Sequence, residues 1–252
     1  MTAKVHIGTM GWSYNFWTGN FYPKDLAPEN FLSEYAKHFD TVEVDNTFYR
    51  IPSKDVVEKW RDQTPSNFLF SAKFPRRITH ERMLRDCEEI VKVFLERISL
   101  LQDKLGPLLL QFPYAFKPEQ ARLLGDFLSG LPKTHRYVVE FRNRKLLQEE
   151  FYSPLKENGT ALALVEQPFM PPTEVMTSNF TYVRLEGDRR KVTGTLGKVE
   201  IDKKDSIKSW AEKIKKLSEF STDVFVYFSK YYSGYPPADV AQLGGLLQAL
   251  TP

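Results

Sequence analysis

Apolar residues fall into short dense runs separated by longer stretches with helical spacing. Eight runs read as strands, at residues 4–8, 41–45, 68–73, 107–112, 137–141, 161–165, 180–185 and 224–228. Most are apolar at both odd and even positions, the pattern of strands in a parallel sheet covered on both faces. Between them, Leu84, Cys87, Val91, Phe94, Ile98, Leu101 and Leu105 recur three and four residues apart. That spacing predicts an amphipathic helix of about twenty residues, stopped by Gly106-Pro107, with Cys87 a small buried hydrophobe in its stripe. Ile207, Trp210, Ile214 and Leu217 form a second stripe, and Val240, Leu243, Leu247 and Leu250 a third.

Eight strands alternating with helices over 252 residues give the arithmetic of a (β/α)8 TIM-type barrel. The alternative is an open doubly wound sheet. No Gly/Ser/Pro linker divides the chain, so residues 1–252 read as one domain. The long connections 9–30, 166–179 and 186–205 follow strands one, six and seven, which in a barrel gathers them at the C-terminal mouth.

The strand ends deliver a polar set to that mouth: Thr9 and Trp12, Glu43, Asp45 and Asn46, Lys73, Gln111, Glu140 and Arg142, Glu166, Arg184 and Glu186, and Ser229. Glu43 shares a strand face with Asp45, and Glu140 with Arg142. Glu43 and Glu140 are candidate proton carriers, with Lys73 as a charge-neutralising or nucleophilic group. Arg142, Arg184 and His80 are candidate anion holders, with Asn46 and Gln111 as further binding groups. The competing reading is a self-neutralising network that closes the barrel top.

Composition sharpens this picture in three ways. The chain has 35 Lys and Arg against 32 Asp and Glu, a formal +3, which excludes coating a polyanion by bulk charge. A local patch is still present, with Lys73, Arg76, Arg77, Arg82 and Arg85 around Glu81. Rings are abundant, with nineteen Phe, twelve Tyr and four Trp, and several fall in loops. Phe16, Phe21 and Tyr22 are expected to pack on one another, while Trp12 and Tyr49, beside the polar ring, are expected to stack on a ligand. The four histidines are His6, His38, His80 and His135, and only His80 reaches the mouth. No metal site is therefore expected from His or Cys, leaving Glu43, Glu140 and Glu166 as the one open carboxylate set. Thr193 to Val199 lacks the spacing of a phosphate loop and reads as a mobile hairpin-like loop over the mouth. The single cysteine and the lack of a membrane-length apolar run predict a soluble cytoplasmic protein.

Three ordered blocks then carry a resemblance: Gly8-Thr9-x-Gly11-Trp12-x-Tyr14-x-x-Trp17, Phe39-x-Thr41-Val42-Glu43-Val44-Asp45-Asn46-Thr47-Phe48-Tyr49, and Phe68-x-Phe70-Ser71-x-Lys73-x-Pro75-Arg76-x-Ile78-Thr79-His80. With Leu109 to Pro113, Val139 to Arg142 and Tyr182 to Leu185, they resemble the family called domain of unknown function 72, the YecE-like proteins. The resemblance implies a TIM-type barrel and supplies no reaction. The chain departs from the family's usual pattern at Asn143 to Leu146, at Glu186, and at Ser229 and Lys230. The functional expectation is a metal-independent, hydrolase-like enzyme without cofactor. Its ligand would be a small-molecule or nucleotide-like anion with a stackable ring, such as a nucleotide, a nucleic-acid end or a sugar phosphate. The alternatives are a glycosidase-like sugar site and a non-catalytic nucleotide or nucleic-acid binding module.

Overall fold

A computed structural model describes residues 3–250. Its strands are β1 (Lys4–Met10), β2 (Thr41–Val44), β3 (Leu69–Lys73), β4 (Leu105–Phe112), β5 (Tyr137–Phe141), β6 (Ala161–Leu162), β7 (Leu164–Glu166), β8 (Thr181–Leu185) and β9 (Asp223–Phe228). All pair in parallel, in the order β6-β5-β4-β3-β2-β1-β9-β8-β7. The two ends of that order, β6 and β7, are consecutive in sequence and separated only by Ala163, whose N–H donates to Val139 O of β5 at 2.9 Å. The sixth strand read from the sequence is thus split in two, one part pairing with β5 and the other with β8. Together they close the sheet into a nearly continuous TIM-like barrel.

Among the described residues, eight α-helices cover the outside: α1 (Phe31–Tyr35), α2 (Lys54–Asp62), α3 (Glu88–Ile98), α4 (Pro118–Ala121), α5 (Leu124–Ser129), α6 (Glu149–Glu157), α7 (Lys204–Ser218) and α8 (Pro236–Leu250). Two expectations need correction. The apolar series from Leu84 to Leu105 is not one helix, because Leu84 and Asp86 have φ of 74° and 46° and Gln102 has φ of 55°. The helix covers eleven residues, a 3₁₀ turn follows over Ser99–Lys104, and Leu105, Gly106 and Pro107 open β4 instead of stopping a helix. Alternation also lapses once, since 167–180 join β7 to β8 without a helix. Pro168, Pro171 and Pro172 remove N–H donors that a helix would need there. Cys87 is buried, as its place in the stripe predicts.

Apolar packing divides into an inner core and outer cores. Met10, Leu109, Val138, Ala163, Tyr182 and Tyr227 belong to one cluster inside the barrel. Ile207, Trp210 and Ile214 of α7 pack with Val224 and Val226 of β9 in another, outside it. The loop after β1 makes its own aromatic core, with Tyr22 stacked on Phe31 at 4.3 Å and Phe21 on Phe39 at 5.4 Å.

Strand β1 passes close to β2 at Gly8, where a Cβ would lie 2.1 Å from the backbone oxygen of Thr41. A backbone atom cannot swing aside as a side chain can. We expect Gly8→Ala to cost at least about 1–3 kcal/mol, the range for overpacking, and to lower the thermal midpoint by several degrees. Calorimetry on a variant as stable as the parent would contradict this packing.

Candidate functional site

Alternation along the strands builds the site. Side chains inward at one residue point inward again two residues later, and the last inward positions of the strands carry Met10, Glu43, Lys73, Gln111, Glu140 and Arg184. Glu186, just beyond β8, continues the series. Below them lie Thr41, Ser71 and the hydroxyls of Tyr182 and Tyr227. The polar set is therefore one layer across the C-terminal end of the barrel, resting on an aromatic and hydroxyl layer.

At its centre is Arg184, 1% exposed. Its Nε donates to Glu43 Oε2 at 2.9 Å and its Nη2 to Glu43 Oε1 at 2.7 Å. Its Nη1 donates to Glu140 Oε2 and to Glu186 Oε1. Arg142 joins the same two acids, Nε to Glu140 Oε1 at 2.9 Å and Nη2 to Glu186 Oε1 at 2.8 Å. Gln111 links outward, giving its Nε2–H to Glu140 Oε1 at 2.9 Å and accepting from Lys73 Nζ at 2.8 Å. Lys73 also lies 4.3 Å above the Phe48 ring. Buried charges persist only when paired and hydrogen-bonded, and this lattice meets that condition.

The two central glutamates are driven apart. Burial pushes the Glu43 carboxyl up to about 7, against the pull of Arg184 and with a further push from Asp45. Burial also opposes charge on Glu140, but Arg184 and Arg142 together outweigh it and hold that carboxyl at about 2. Lys73 is lowered by burial, opposed by Asp45. Burial, and then the positive charges of Lys73, Arg142 and Arg76, bring His80 down to about 4.

The candidates drawn from the sequence separate into a buried and an open group. Glu43, Glu140, Gln111 and Arg184 are buried and mutually bonded, so Arg184 is a scaffold for carboxylates and not a holder of ligand anions. The Arg184 guanidinium fills the space between Glu43 and Glu140, so this pair cannot flank a glycosidic bond as a glycosidase requires. Trp12 is also corrected: it packs edge-on against Trp60 at 5.6 Å in the outer core and offers no face to a ligand. Tyr49 is 75% exposed. Asn46 is exposed, and His80 and Arg142 are half-buried at the mouth.

Glu166 does not join the ring. Ala163 and Val165 face the barrel interior, so Glu166 faces outward. There it accepts from Trp210 Nε1 at 2.6 Å and Ser206 Oγ at 2.7 Å of α7. The carboxylate set Glu43, Glu140 and Glu166 consequently does not converge. The loop over 193–199 is fastened at both ends. Glu200 accepts from the N–H groups of Thr193 and Gly194 at 2.8 Å, and Asn20 Nδ2 donates to Gly197 O at 2.9 Å.

Asp45 was legible as a strand-face partner of Glu43, and the structure gives it more prominence. Its side chain is 39% exposed, while its Oδ1 is buried without a hydrogen-bond partner among the described residues. That oxygen lies 4.0 Å from Lys73 Nζ and 3.9 Å from Arg184 Nη2. Charge is also segregated around the site. The seven loops that lead from a strand to the next helix hold sixteen basic and nine acidic residues, whereas the rest of the chain holds nineteen and twenty-three. The mouth end is positive on a molecule whose remainder is negative, a layout that focuses field at the opening.

The sequence matches the family described as "Protein of unknown function DUF72" over residues 6–251. It is 38% identical over 139 residues to the UPF0759 protein YecE of Escherichia coli strain K12, covering 55% of this chain and 48% of that protein. This chain thus spans about half the length of that relative. It is 28% identical over 260 residues to the UPF0759 protein YunF of Bacillus subtilis strain 168, covering 91% of this chain and 90% of that one. A crystal structure of a DUF72 family protein from Thermotoga maritima superposes with a TM-score of 0.85 at 26% identity, covering 97% of this chain and 99% of that one. One from Enterococcus faecalis has the same fold, with a TM-score of 0.76 at 24% identity and coverage of 97% and 95%. With its barrel, its ordered motifs and a match over nearly all its length, the chain belongs to the DUF72 family.

Proposed function

We propose that the mouth takes a phosphate-bearing ligand with a stackable ring, such as a nucleotide, a nucleic-acid end or a sugar phosphate. This reading rests on the positive charges of Lys73, Arg142 and Arg76, which with burial keep His80 neutral, Arg76 being itself ion-paired with Glu81 at 2.9 Å. Lys73 spends one donor on Gln111 and has others to offer. Two nitrogens of Arg142 are taken by Glu140 and Glu186, and its side chain is 29% exposed, which leaves Nη1 for an incoming oxygen. Thr79 Oγ1 lies 2.9 Å from His80 Nδ1, so Nε2 is the nitrogen available to a ligand. Tyr49 supplies the exposed ring for stacking.

Metal-independent hydrolysis is the second reading, and Asp45 favours it. This is the carboxylate of the layer that solvent reaches most, set beside two cations and with an unpartnered oxygen. In that role Asp45 would orient or deprotonate water, while Lys73 and Arg142 would stabilise charge developing on the phosphoryl oxygens. Glu140 stays ionised as an orienting group for the two arginines.

Isothermal titration with inorganic phosphate and adenosine monophosphate tests the first reading. Lys73→Met and Arg142→Met should each weaken binding about tenfold or more, the loss of a charge-assisted contact of about 1.5–3 kcal/mol. Tyr49→Ala should weaken the nucleotide and leave phosphate unchanged. Heatless titrations with both ligands would contradict the proposal. For the second reading, Asp45→Asn should abolish release of nitrophenol from a chromogenic phosphodiester while retaining phosphate binding. Undiminished release in that variant would remove Asp45 from the chemistry.

The ionisation of Glu140 predicts a pH dependence. Its carboxyl is held at about 2 when folded, against an ordinary value of 4.5, so the unfolded chain binds more protons between those values. The contribution is therefore complete above the ordinary value and is lost as pH falls toward about 2. Denaturant titrations should show Glu140→Gln losing about 3–5 kcal/mol at neutral pH, as for one broken half of a buried pair, with a shallower acid limb. Parallel acid limbs in parent and variant would contradict the assignment.

A further inference from the structure

Three short oxygen-to-oxygen contacts run in series beneath the mouth. Glu43 Oε2 lies 2.6 Å from Tyr182 Oη, which lies 2.6 Å from Ser71 Oγ, which lies 2.7 Å from the carbonyl oxygen of Pro107. Each contact is at hydrogen-bond distance and needs one proton. The terminal carbonyl has none, and the two hydroxyls bring one each. With Glu43 ionised, one of the three contacts would set lone pair against lone pair in a buried site. We propose that the third proton is on Glu43, making it a neutral carboxylic acid that donates to Tyr182, with Tyr182 donating to Ser71 and Ser71 to Pro107.

The carbonyl at the end of the relay is available for a structural reason. Register between β3 and β4 shifts, pairing Phe70 with Leu105 and Ala72 with Leu108, so Gly106 and Pro107 bulge from the ladder. The Pro107 carbonyl then accepts from the Ser71 side chain. A neutral Glu43 keeps the bond from Arg184 Nη2 to its other oxygen, Oε1, at 2.7 Å, and Arg184 Nε, 2.9 Å from the protonated Oε2, also lies 3.2 Å from Oε1.

Charge in the layer agrees with the count. Without Glu43, and setting aside the exposed Arg189 that lies 3.8 Å from Glu186, the cations Lys73, Arg142 and Arg184 meet the anions Asp45, Glu140 and Glu186, three against three. An ionised Glu43 would add a fourth anion in a place with no exposure to water. The groups that face it are Arg184 and Tyr182 from β8, Asp45 after β2, Tyr227 from β9, Lys73 from β3 and Tyr14 from the loop after β1. Burial outweighs the attraction of Arg184 among them, and the carboxyl titrates at about 7. The mouth thus rests on a stored proton that leaves as pH rises through about 7, and its departure forces the relay to reverse at Tyr182.

Infrared difference spectroscopy on the full chain, with the glutamates labelled in their carboxyl carbons, reads this proton directly. Labelling separates Glu43 from Asp239, a second buried carboxyl that burial raises to about 7. About one unit below neutral pH, the parent should show the carbonyl band of a protonated glutamic acid, shifted by the label, fading as pH rises and missing from E43Q. An amide can donate to Tyr182 and accept from Arg184, so E43Q should melt within about 4 °C of the parent, while E43A should melt far lower. A parent with no protonated-glutamate band would overturn the proposal even if E43Q failed to fold. So would a band that persists in E43Q, or an E43Q as unstable as E43A.

Discussion

A single guanidinium buried at the end of a barrel determines how the rest of the mouth can be arranged. Arg184 reaches acids from β2, β5 and the end of β8, and so ties together distant parts of the ring. Arginine suits the position because its planar fork donates in several fixed directions and stays charged when dehydrated. Each acid it holds has a further partner: Tyr182 shares the proton of Glu43, Gln111 donates to Glu140, and Arg142 donates to Glu140 and Glu186. Glu186, just past the end of β8, completes the lattice.

The lattice also divides labour within the layer. Groups bonded to Arg184 are fixed in geometry and screened from solvent, so they set field and orientation without meeting a ligand. Of the groups at its edge, Asp45, His80 and Arg142 are only partly enclosed and Lys73 is buried beside them, and they border loops that carry most of the excess positive charge. An anion arriving there would meet donors already oriented by the acids beneath, the preorganisation that makes electrostatic binding effective in a low-dielectric site. The two glutamates differ because Glu140 is served by two arginines and Glu43 by one, with Asp45 opposing.

Much of this was legible in the chain. Strand positions followed from apolar runs, and a period of two then selected Glu43, Lys73, Gln111, Glu140 and Arg184 as a convergent set. The same rule, applied to Ala163 and Val165, would have turned Glu166 outward, a signal present in the sequence but not used. Other features were not legible. Spacing could not tell the helix at 88–98 from its flanks, because Leu84, Leu101 and Leu105 are drawn to the core from backbone outside the α-helix. Trp12 sits in a loop beside polar residues, yet Trp60 and Phe70 from distant segments claim its ring. The role of Arg184 was hidden for the same reason: its charge could be read, but two of the three acids awaiting it, Glu43 and Glu140, come from other parts of the chain.

The most direct test of Arg184 as the organising group is denaturant unfolding of Arg184→Met at neutral pH, paired with a crystal structure of the variant. Removing the cation leaves Glu43 without a guanidinium and Glu140 and Glu186 with one, Arg142, in place of two, so the account predicts a loss of about 3–5 kcal/mol and a shift of Glu43, Glu140 and Arg142 into the vacated space. A variant within about 1 kcal/mol of the parent, the level of a surface ion pair, with the layer unmoved, would contradict it.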